Sequence, residues 1–300
     1  MMNITVLGTA SAIPTKDRNV TSVFLRFKGL GILFDCGEGT QRQMNLTGIK
    51  RTDVDIIALT HWHGDHVGGL IPLIQTMGNS EDGKRLTIIG PKGTKEFMHH
   101  ALKSCAFEST VDIIVEEIDP KETSVVLETS EYVLETAPLD HSTPCVGYAF
   151  TEKARLNINK EALSKLNIPD GPHCRILKEG KDAQYAGKVL RAKDLTYTVE
   201  KKKFVFITDT RICKSAVELA RDADLLLCEA TFANEHKNRA LESKHMIAAE
   251  SAKIANDAGV KKLVLTHFSQ RYATTEQIER DARDVFDNVE CAQDFSKYTL

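Results

Sequence analysis

The sequence has few cysteines, no long apolar run and no large excess of charge of one sign. Its 7 cysteines are scattered and form no CxxC pair, which argues against a disulfide framework and is typical of reduced thiols in a cytosol. No run approaches the roughly 18 consecutive apolar residues of a membrane span, so we expect no membrane association. The first residues lack a basic leader and have the pattern of a strand, so we expect no signal peptide.

The charge balance excludes a strongly basic nucleic-acid coat over the whole chain. The 300 residues contain 39 Lys and Arg against 42 Asp and Glu, a formal net charge of −3. A local basic patch remains compatible with this balance. The chain is 42% hydrophobic and 27% charged, as in ordinary globular proteins. At this length a chain buries roughly three quarters of its unfolded surface, so its core needs no disulfides.

The order of apolar segments predicts an α/β fold. Short β-branched segments dominate the first third, and residues 56–60 form the continuous apolar run expected of a strand covered on both faces. Later strands alternate with helical segments, of which 245–258 is rich in alanine and stops at Gly259. We predict two sheets sandwiched between helices, in one domain that spans residues 1–300.

Residues 151–195 differ from the rest of the chain in composition. The segment is polar, contains several Pro and Gly residues, and has ten Lys and Arg against six Asp and Glu, so that it is +4 while the remainder is −7. This pattern indicates an inserted, flexible arm rather than part of the core. From composition alone, the alternative is a solvated surface excursion.

The densest group of potential metal ligands directly follows the predicted strand at 56–60 and consists of His61, His63, Asp65 and His66. Because side chains alternate along an extended chain, the first two project to the same side. We expect Gly64 to allow a sharp turn that brings the last two into the same space, and Gly68 and Gly69 to let a helix start close against the sheet. Imidazole and carboxylate groups suit Zn²⁺ or Mn²⁺. The alternative is a chance cluster on a loop.

Three distant residues stand at similar positions, just after apolar strand-like segments: His141, Asp209 and His267. Functional groups gather at such strand ends in α/β sheets. Each residue alone is a weak signal, since a histidine after a strand is often simple polar termination. With the first cluster they make five His and two Asp, which is enough for two cations that share one carboxylate.

These residues and several further stretches resemble the metallo-β-lactamase superfamily and, within it, the short form of the ribonuclease Z family. Besides HxHxDH at 61–66, the matching stretches are 14–19 (P-x-K-x-R-N), 34–41 (FDCGEGTQ), 208–211 (GDTR), 228–232 (HEATF) and 267–272 (HFSxRY). The departures are Thr208 in place of Gly, Cys228 in place of His, and Met246-Ile247 in place of Ser-Thr after His245. None of these departures removes a candidate metal ligand.

The resemblance implies an αββα sandwich of two mixed sheets with a protruding arm. It implies a zinc-dependent endoribonuclease that removes the 3′ trailer from precursor tRNA and leaves a 3′-hydroxyl on the tRNA and a 5′-phosphate on the trailer. The expected cofactor is two Zn²⁺ per subunit, with Mn²⁺ as the alternative and no organic cofactor. One metal would be held by His61, His63 and His141, the other by Asp65, His66 and His267, with Asp209 bridging.

The resemblance also implies roles in catalysis and RNA binding. Asp65 would accept a proton from the attacking water, and His245, oriented by Glu229, would protonate the departing ribose oxygen. RNA contacts are expected from Lys16, Arg18, Asn19, Gly171 and Pro172. The last two residues lie in the arm, which grips the tRNA away from the cut, whereas the first three lie in a loop for which simple solvation is the alternative. We expect a cytoplasmic homodimer.

Other functions remain open from sequence alone. A small-molecule phosphodiesterase, an arylsulfatase or a thioester hydrolase of the same fold would share the metal ligands but would need no arm. A non-catalytic RNA-binding subunit would typically lose ligands, whereas all seven candidates are present here. A di-iron redox protein would favour additional carboxylates and a flavin partner, and neither is visible.

Overall fold

The chain folds into two compact units. A computed structural model describes residues 1–78, 83–107 and 110–300. The core unit comprises Met1–Leu127, Leu134–Phe150 and Lys203–Leu300, and the arm unit comprises Glu128–Val133 and Thr151–Lys202.

The secondary structure alternates between short strands and short helices. Within the described ranges the strands are β1 (Met2–Gly8), β2 (Ser22–Phe27), β3 (Leu30–Phe34), β4 (Ile56–Ala58), β5 (Arg85–Pro91), β6 (Asp112–Ile118), β7 (Ser124–Glu128), β8 (Tyr132–Pro138), β9 (Val146–Glu152), β10 (Arg155–Ile158), β11 (Ala183–Tyr185), β12 (Lys188–Leu190), β13 (Thr196–Val199), β14 (Lys202–Ile207), β15 (Leu225–Glu229), β16 (Leu263–Thr266), β17 (Val289–Cys291) and β18 (Lys297–Thr299). The α-helices are α1 (Thr40–Thr47), α2 (Gly64–Val67), α3 (Leu70–Gly78), α4 (Thr94–Leu102), α5 (Lys160–Lys165), α6 (Pro172–Lys178), α7 (Ala192–Leu195), α8 (Lys214–Ala220), α9 (Lys237–Ser243), α10 (Ala248–Asp257) and α11 (Glu276–Arg283).

Two seven-stranded sheets form the core unit. The first has the order β18-β1-β2-β3-β4-β5-β6, and the second has the order β17-β16-β15-β14-β9-β8-β7. In the first sheet β1, β2 and β3 pair antiparallel, whereas β3 to β6 run parallel. In the second sheet β14 to β17 run parallel. The carboxyl ends of the parallel strands in each sheet are therefore available to carry functional groups.

Aromatic side chains fill the space between the two sheets. Phe34 of β3 is fully buried, and its ring centroid lies 5.9 Å from Tyr148 of β9 and 5.8 Å from Phe204 of β14. Phe27 of β2 packs edge-on against Phe150 of β9 at 5.3 Å. Because each ring buries a large apolar surface, these contacts bind the sheets to each other.

Helices cover the outer faces of both sheets. Met44 of α1 and Leu73 of α3 belong to the buried cluster on the first sheet. Leu219 of α8, Ile254 of α10 and Ile278 of α11 belong to the cluster on the second. The predicted arrangement of two sheets flanked by helices is therefore confirmed. Among the described residues, no helix has the length and apolar character needed to cross a membrane.

The arm unit has a small core of its own. It contains two antiparallel strand pairs, β10 with β13 and β11 with β12, and Arg155 lies opposite Val199 in the first pair. Its buried apolar residues are Ile158, Leu163, Ile168, Leu177, Ala183, Leu190, Ala192 and Leu195. Composition missed this core because its members come from short, separated segments and not from one apolar stripe.

The helix predicted at 245–258 begins three residues later. Lys244 adopts a positive φ of 55°, and Ile247 is extended at the N-cap of α10, where its N–H donates to Glu250. The apolar spacing of residues 246–247 suggested helix, but these side chains are buried at the entry to it. His245 therefore lies in a turn before α10. The backbone of this turn, and not a helix, determines where the imidazole ring points.

Candidate metal centre

The predicted ligand cluster lies in the loop and short helix that follow β4. His61 is fully buried, whereas His63 and Asp65 are half-buried. The Nε2 atom of His61 lies 2.9 Å from Nδ1 of His63, as the alternation of an extended chain predicts. The helix α2 carries Asp65 and His66, and Nε2 of His66 lies 3.4 Å from Oδ2 of Asp65.

Two glycines of this loop differ in how strictly the structure requires them. A Cβ at Gly69 would meet the carbonyl oxygen of Gly37 at 2.2 Å, so only glycine permits this close approach of the two backbones. The N–H of Gly69 donates to the carbonyl of Cys36 at 2.8 Å in the same contact. In contrast, Gly64 has open space around its Cβ position and no positive φ. Gly64 starts α2, which carries Asp65 and His66 into the same space, but nothing around this position requires a glycine.

The distant residues converge on the loop. The donor atoms of His61, His63, His141 and Asp209 all lie within 4.8 Å of one another, and so do those of Asp65, His66 and His267. His141 follows β8, and its Nε2 lies 3.3 Å from Nδ1 of His63. His267 follows β16, and its Nε2 lies 3.3 Å from Nε2 of His66. The chain separation between these last two residues is 201 positions, so folding alone creates the cluster.

Asp209 lies between the two groups and presents one oxygen to each. Its Oδ2 is 3.6 Å from His61 and 3.8 Å from His141, while its Oδ1 is 3.3 Å from His66 and 3.2 Å from His267. Thr208, at a position where the related motif has glycine, donates its hydroxyl to Oδ1 at 2.5 Å. This departure therefore adds a hydrogen bond that fixes the carboxylate.

Three residues of the site that follow strands adopt the left-handed region of backbone space. The φ angles are 55° at Asp35 after β3, 49° at Asp209 after β14 and 60° at His267 after β16. Such conformations cost free energy and persist where the surrounding structure imposes them, most often at functional sites. The strained positions here bring carboxylate and imidazole groups from both sheets toward one point.

The second ring nitrogen of most clustered histidines bonds to the protein. Thr60 Oγ1 is 3.0 Å from Nδ1 of His61, and Thr231 Oγ1 is 3.0 Å from Nδ1 of His267. Nδ1 of His141 lies 3.1 Å from the carbonyl oxygen of Lys244. In these three residues Nδ1 bonds to the protein and Nε2 is directed into the cluster, which is the arrangement typical of metal-ligating histidine, whereas His63 presents Nδ1 to the cluster.

Asp35 is the main supporting residue that sequence reasoning missed. Its side chain is fully buried, its Oδ2 is 2.7 Å from Nδ1 of His66, and it accepts hydrogen bonds from the N–H and hydroxyl of Thr60. The available signal was a charged residue directly after the apolar strand β3, the same pattern that identified Asp209. The stretch 34–41 matched a family motif, but Asp35 was given no role of its own because it lies in a glycine-rich turn without neighbouring ligands.

Glu229 and His245 form a hydrogen-bonded pair beside the cluster. Glu229 ends β15, is fully buried, and its Oε1 lies 3.1 Å from Nδ1 of His245. The same carboxylate accepts the hydroxyl of Thr231 at 2.7 Å and the N–H of Met246 at 3.1 Å. The other ring nitrogen of His245, Nε2, lies 3.9 Å from Oδ2 of Asp209. The imidazole is therefore held on one side and faces the cluster on the other.

Opposing effects set the protonation of these groups. Burial lowers the pKa of His245, but the Glu229 and Asp209 carboxylates outweigh it and raise this pKa to about 9. Burial raises the pKa of Asp209, but the imidazoles of His267, His66 and His61 hold it well below its usual range. For His61, burial dominates and puts the pKa well below the ordinary value, which favours the neutral ring that can ligate a metal.

The residues expected to contact RNA are placed as follows. Lys16 is exposed, whereas Arg18 donates to the carbonyl of Tyr272 at 2.7 Å, and the side chain of Asn19 donates to the carbonyl of Glu38 at 2.8 Å. Arg18 and Asn19 therefore connect loops of the core unit. Gly171 and Pro172 lie in the arm unit, where they start α6.

Comparisons with known proteins identify the family. Family models match two parts of the chain: the anti-Pycsar protein Apyc1 model at residues 2–157 and the beta-lactamase superfamily domain model at residues 182–268. Curated relatives extend over nearly the whole chain. The ribonuclease Z of Methanothermobacter thermautotrophicus is 40% identical over 98% of this chain and 95% of its own length, and that of Clostridium tetani is 33% identical over 98% and 97%.

The chain belongs to the ribonuclease Z family. The crystal structure of human tRNase Z, short form, covers 99% of both chains with a TM-score of 0.74 and 25% identity, so the predicted metallo-β-lactamase fold is confirmed. The family assignment made from the motifs is also confirmed. Since the relatives extend through the second half of the chain, where the Apyc1 model does not reach, they include the segments around Asp209, His245 and His267.

The two glycines of the ligand loop offer a matched test of this ribonuclease Z scaffold. Gly69→Ala is expected to lower the free energy of unfolding by about 2 kcal/mol or more, because the new methyl group overlaps a backbone carbonyl. Gly64→Ala is expected to change it by less than about 1 kcal/mol. Denaturant titration of both variants measures the difference, and equal losses would contradict the contact at Gly69.

Proposed function

We propose that this protein is an endoribonuclease that removes the 3′ trailer from precursor tRNA, leaving a 3′-hydroxyl on the tRNA and a 5′-phosphate on the trailer. The observation that carries the proposal is the buried Asp209 carboxylate with an imidazole group on each side. Membership of the ribonuclease Z family supports the RNA substrate. The donor set supports hydrolysis of a phosphodiester, since such chemistry uses paired metal sites.

The donors fit two Zn²⁺ ions per subunit, with Mn²⁺ as the alternative. We assign one site to His61, His63 and His141 and the other to Asp65, His66 and His267, with Asp209 shared between them. Nitrogen and carboxylate donors in sets of about four suit these metals. When bound, such a pair lowers the pKa of water and stabilises negative charge on phosphoryl oxygens.

Asp65 is assigned to accept the proton of the attacking water. Its Oδ2 receives a hydrogen bond from the N–H of Ala12 at 2.8 Å and faces Nε2 of both His66 and His267. The backbone donor from another loop fixes the orientation of the carboxylate. The attacking water then loses its proton in a defined direction as the new phosphorus–oxygen bond forms.

His245 is assigned to protonate the departing 3′ oxygen of the ribose. Its imidazole is 14% exposed, and it is held by Glu229 through Nδ1, so Nε2 is the nitrogen that can deliver a proton. Because its pKa is raised, the ring carries that proton at neutral pH. The phosphorus–oxygen bond breaks toward this proton, and the tRNA leaves with a 3′-hydroxyl.

A 3′-extended precursor tRNA tests the proposed reaction directly. We expect one major cut, with a 3′-hydroxyl and a 5′-phosphate at the new ends, as determined by end-specific enzymatic labelling. A chelator should stop cleavage, and Zn²⁺ or Mn²⁺ should restore it, with about two equivalents bound by elemental analysis. If the protein hydrolysed small phosphodiesters or aryl sulfates but left the precursor tRNA uncut, a small-molecule phosphodiesterase or arylsulfatase would be favoured instead.

The pH dependence of cleavage tests the paired roles of Glu229 and His245. Since the proton donor must be charged, kcat should fall as pH rises through the pKa of His245. Glu229→Gln removes the negative charge that raises this pKa, so the fall should begin at lower pH. His245→Ala should lower kcat by about 100-fold or more while bound metal is retained. An unchanged alkaline limb in Glu229→Gln would overturn the pairing.

The arm is proposed to bind tRNA away from the cut, and the protein is proposed to be a cytoplasmic homodimer in which the arm of one subunit serves the other's site. The segment 151–195 carries +4 in a chain of net −3, which supports attraction to phosphate groups. Gly171 and Pro172 are the expected contacts in the arm, and Lys16, Arg18 and Asn19 those near the cut. All seven cysteines are unpaired, in keeping with a reducing compartment.

Co-expression of two defective chains tests the arm and the dimer together. Because Arg155 lies opposite Val199, residues 156–198 can be replaced by a short glycine–serine linker. This variant should still hydrolyse bis(p-nitrophenyl) phosphate but lose tRNA cleavage. Paired with a His245→Ala chain, it should regain tRNA cleavage in a purified heterodimer. Loss of activity on both substrates would contradict the role of the arm in tRNA binding. Failure of the heterodimer to regain tRNA cleavage would contradict the proposal that the arm of one subunit serves the site of the other.

A further inference from the structure

A half-buried ion pair lies directly behind His245. Arg211 is 13% exposed in its side chain and follows Asp209 by two residues. Its Nη2 and Nη1 atoms donate to the two carboxylate oxygens of Glu250 at 2.7 and 3.0 Å. Nη1 also donates to the carbonyl oxygen of His245 at 2.5 Å. One guanidinium therefore connects the segment after β14 that supplies Asp209, the start of α10 and the turn that carries the imidazole.

The turn at residues 244–246 is bonded at each of its three positions. The carbonyl of Lys244 faces Nδ1 of His141 at 3.1 Å, and the N–H of Met246 donates to Glu229 at 3.1 Å. The middle carbonyl, that of His245, is the one that accepts from the guanidinium. Since Lys244 has a φ of 55°, this turn has a strained backbone that must be held by such bonds.

Only an arginine satisfies all these acceptors at once. Its planar fork presents several donors in fixed directions, so it can bind Glu250 through both oxygens and still reach the carbonyl of His245. A lysine has a single charged nitrogen and cannot reproduce the fork. Glu250 also accepts the N–H of Ile247 at 3.2 Å, so the ion pair and the start of α10 form one unit.

We propose that Arg211 is a positioning residue for proton donation by His245. Held by Glu250, it fixes the backbone of the turn so that Nε2 of the imidazole faces Asp209 and the departing oxygen. This inference rests on the function proposed above. It requires that loss of the guanidinium impairs the step that needs a proton and leaves RNA binding and metal content intact.

A change of leaving group separates this role from simple structural support. In a precursor RNA with sulfur in place of the bridging 3′ oxygen at the cut, the thiolate departs without protonation. Arg211→Ala should reduce kcat on the normal RNA by about 100-fold with little change in KM, because a misplaced donor costs about that much. On the sulfur-containing RNA its rate should stay within about threefold of wild type, as should that of His245→Ala.

Variants of the neighbouring residues complete the experiment. If Arg211 acts through the imidazole, the double variant Arg211→Ala/His245→Ala should be no slower than His245→Ala alone. Arg211→Lys should recover only part of the loss, and Glu250→Gln should resemble it. The matched control is Arg26→Ala on β2, which removes an arginine–carboxylate pair of 2.7 Å to Asp53 and should leave both rates unchanged.

The outcomes distinguish the inference from the function on which it rests. If the wild-type protein does not cleave the normal RNA, the proposed function fails. If wild type and His245→Ala behave as expected but Arg211→Ala loses both substrates equally, or adds its loss to that of His245→Ala, the positioning role is overturned. Should Arg211→Ala fail to fold, as judged by melting temperature and bound metal, Arg211→Lys and Glu250→Gln provide the same two comparisons.

Discussion

The buried carboxylate of Asp209 is the constraint on which the rest of the structure depends. An ionised group without water is costly unless opposite charge or hydrogen bonds surround it. Asp209 is 2% exposed, and imidazole groups from the loop after β4 and from the end of β16 face its two oxygens. The fold must therefore bring both sheets together at this point, and the aromatic layer around Phe34 is what holds them there.

The polar residues around Asp209 hold the groups that surround its carboxylate in place. Each group that faces the centre is itself bonded on its far side: His66 to Asp35, His267 to Thr231 and His245 to Glu229. Hydrogen bonds of this kind fix the orientation of each ring and determine which of its nitrogens is protonated. The supporting residues Asp35, Thr231 and Glu229 are fully buried or nearly so, which strengthens each hydrogen bond and makes the loss of a partner more costly.

The sequence located the clustered donor residues better than the residues that support them. His61 and His63 could be found because chance rarely places so many potential ligands directly after an apolar run. His141, Asp209 and His267 could be found because each follows an apolar strand-like segment, and the motif resemblance then assigned them to metal sites. Asp35 was missed because single carboxylates are common in glycine-rich turns of every kind, and only folding places this one 2.7 Å from His66. The predicted start of the helix at 245 was wrong because apolar spacing does not show where the backbone leaves the helical conformation. The positive φ of Lys244 and the extended Ile247 place the start of α10 at Ala248.

The division of donors between the two sheets has a consequence for assembly of the protein. The loop after β4 belongs to the first sheet, whereas Asp209 and His267 follow strands of the second. A chain whose sheets have not docked would therefore offer a divalent metal ion only part of this donor set, and tight binding of the proposed metal would require the two sheets to have docked. By mass action, any ion that prefers the docked form also stabilises it. Binding of the metal would then favour chains in which the two sheets have docked over chains in which they have not.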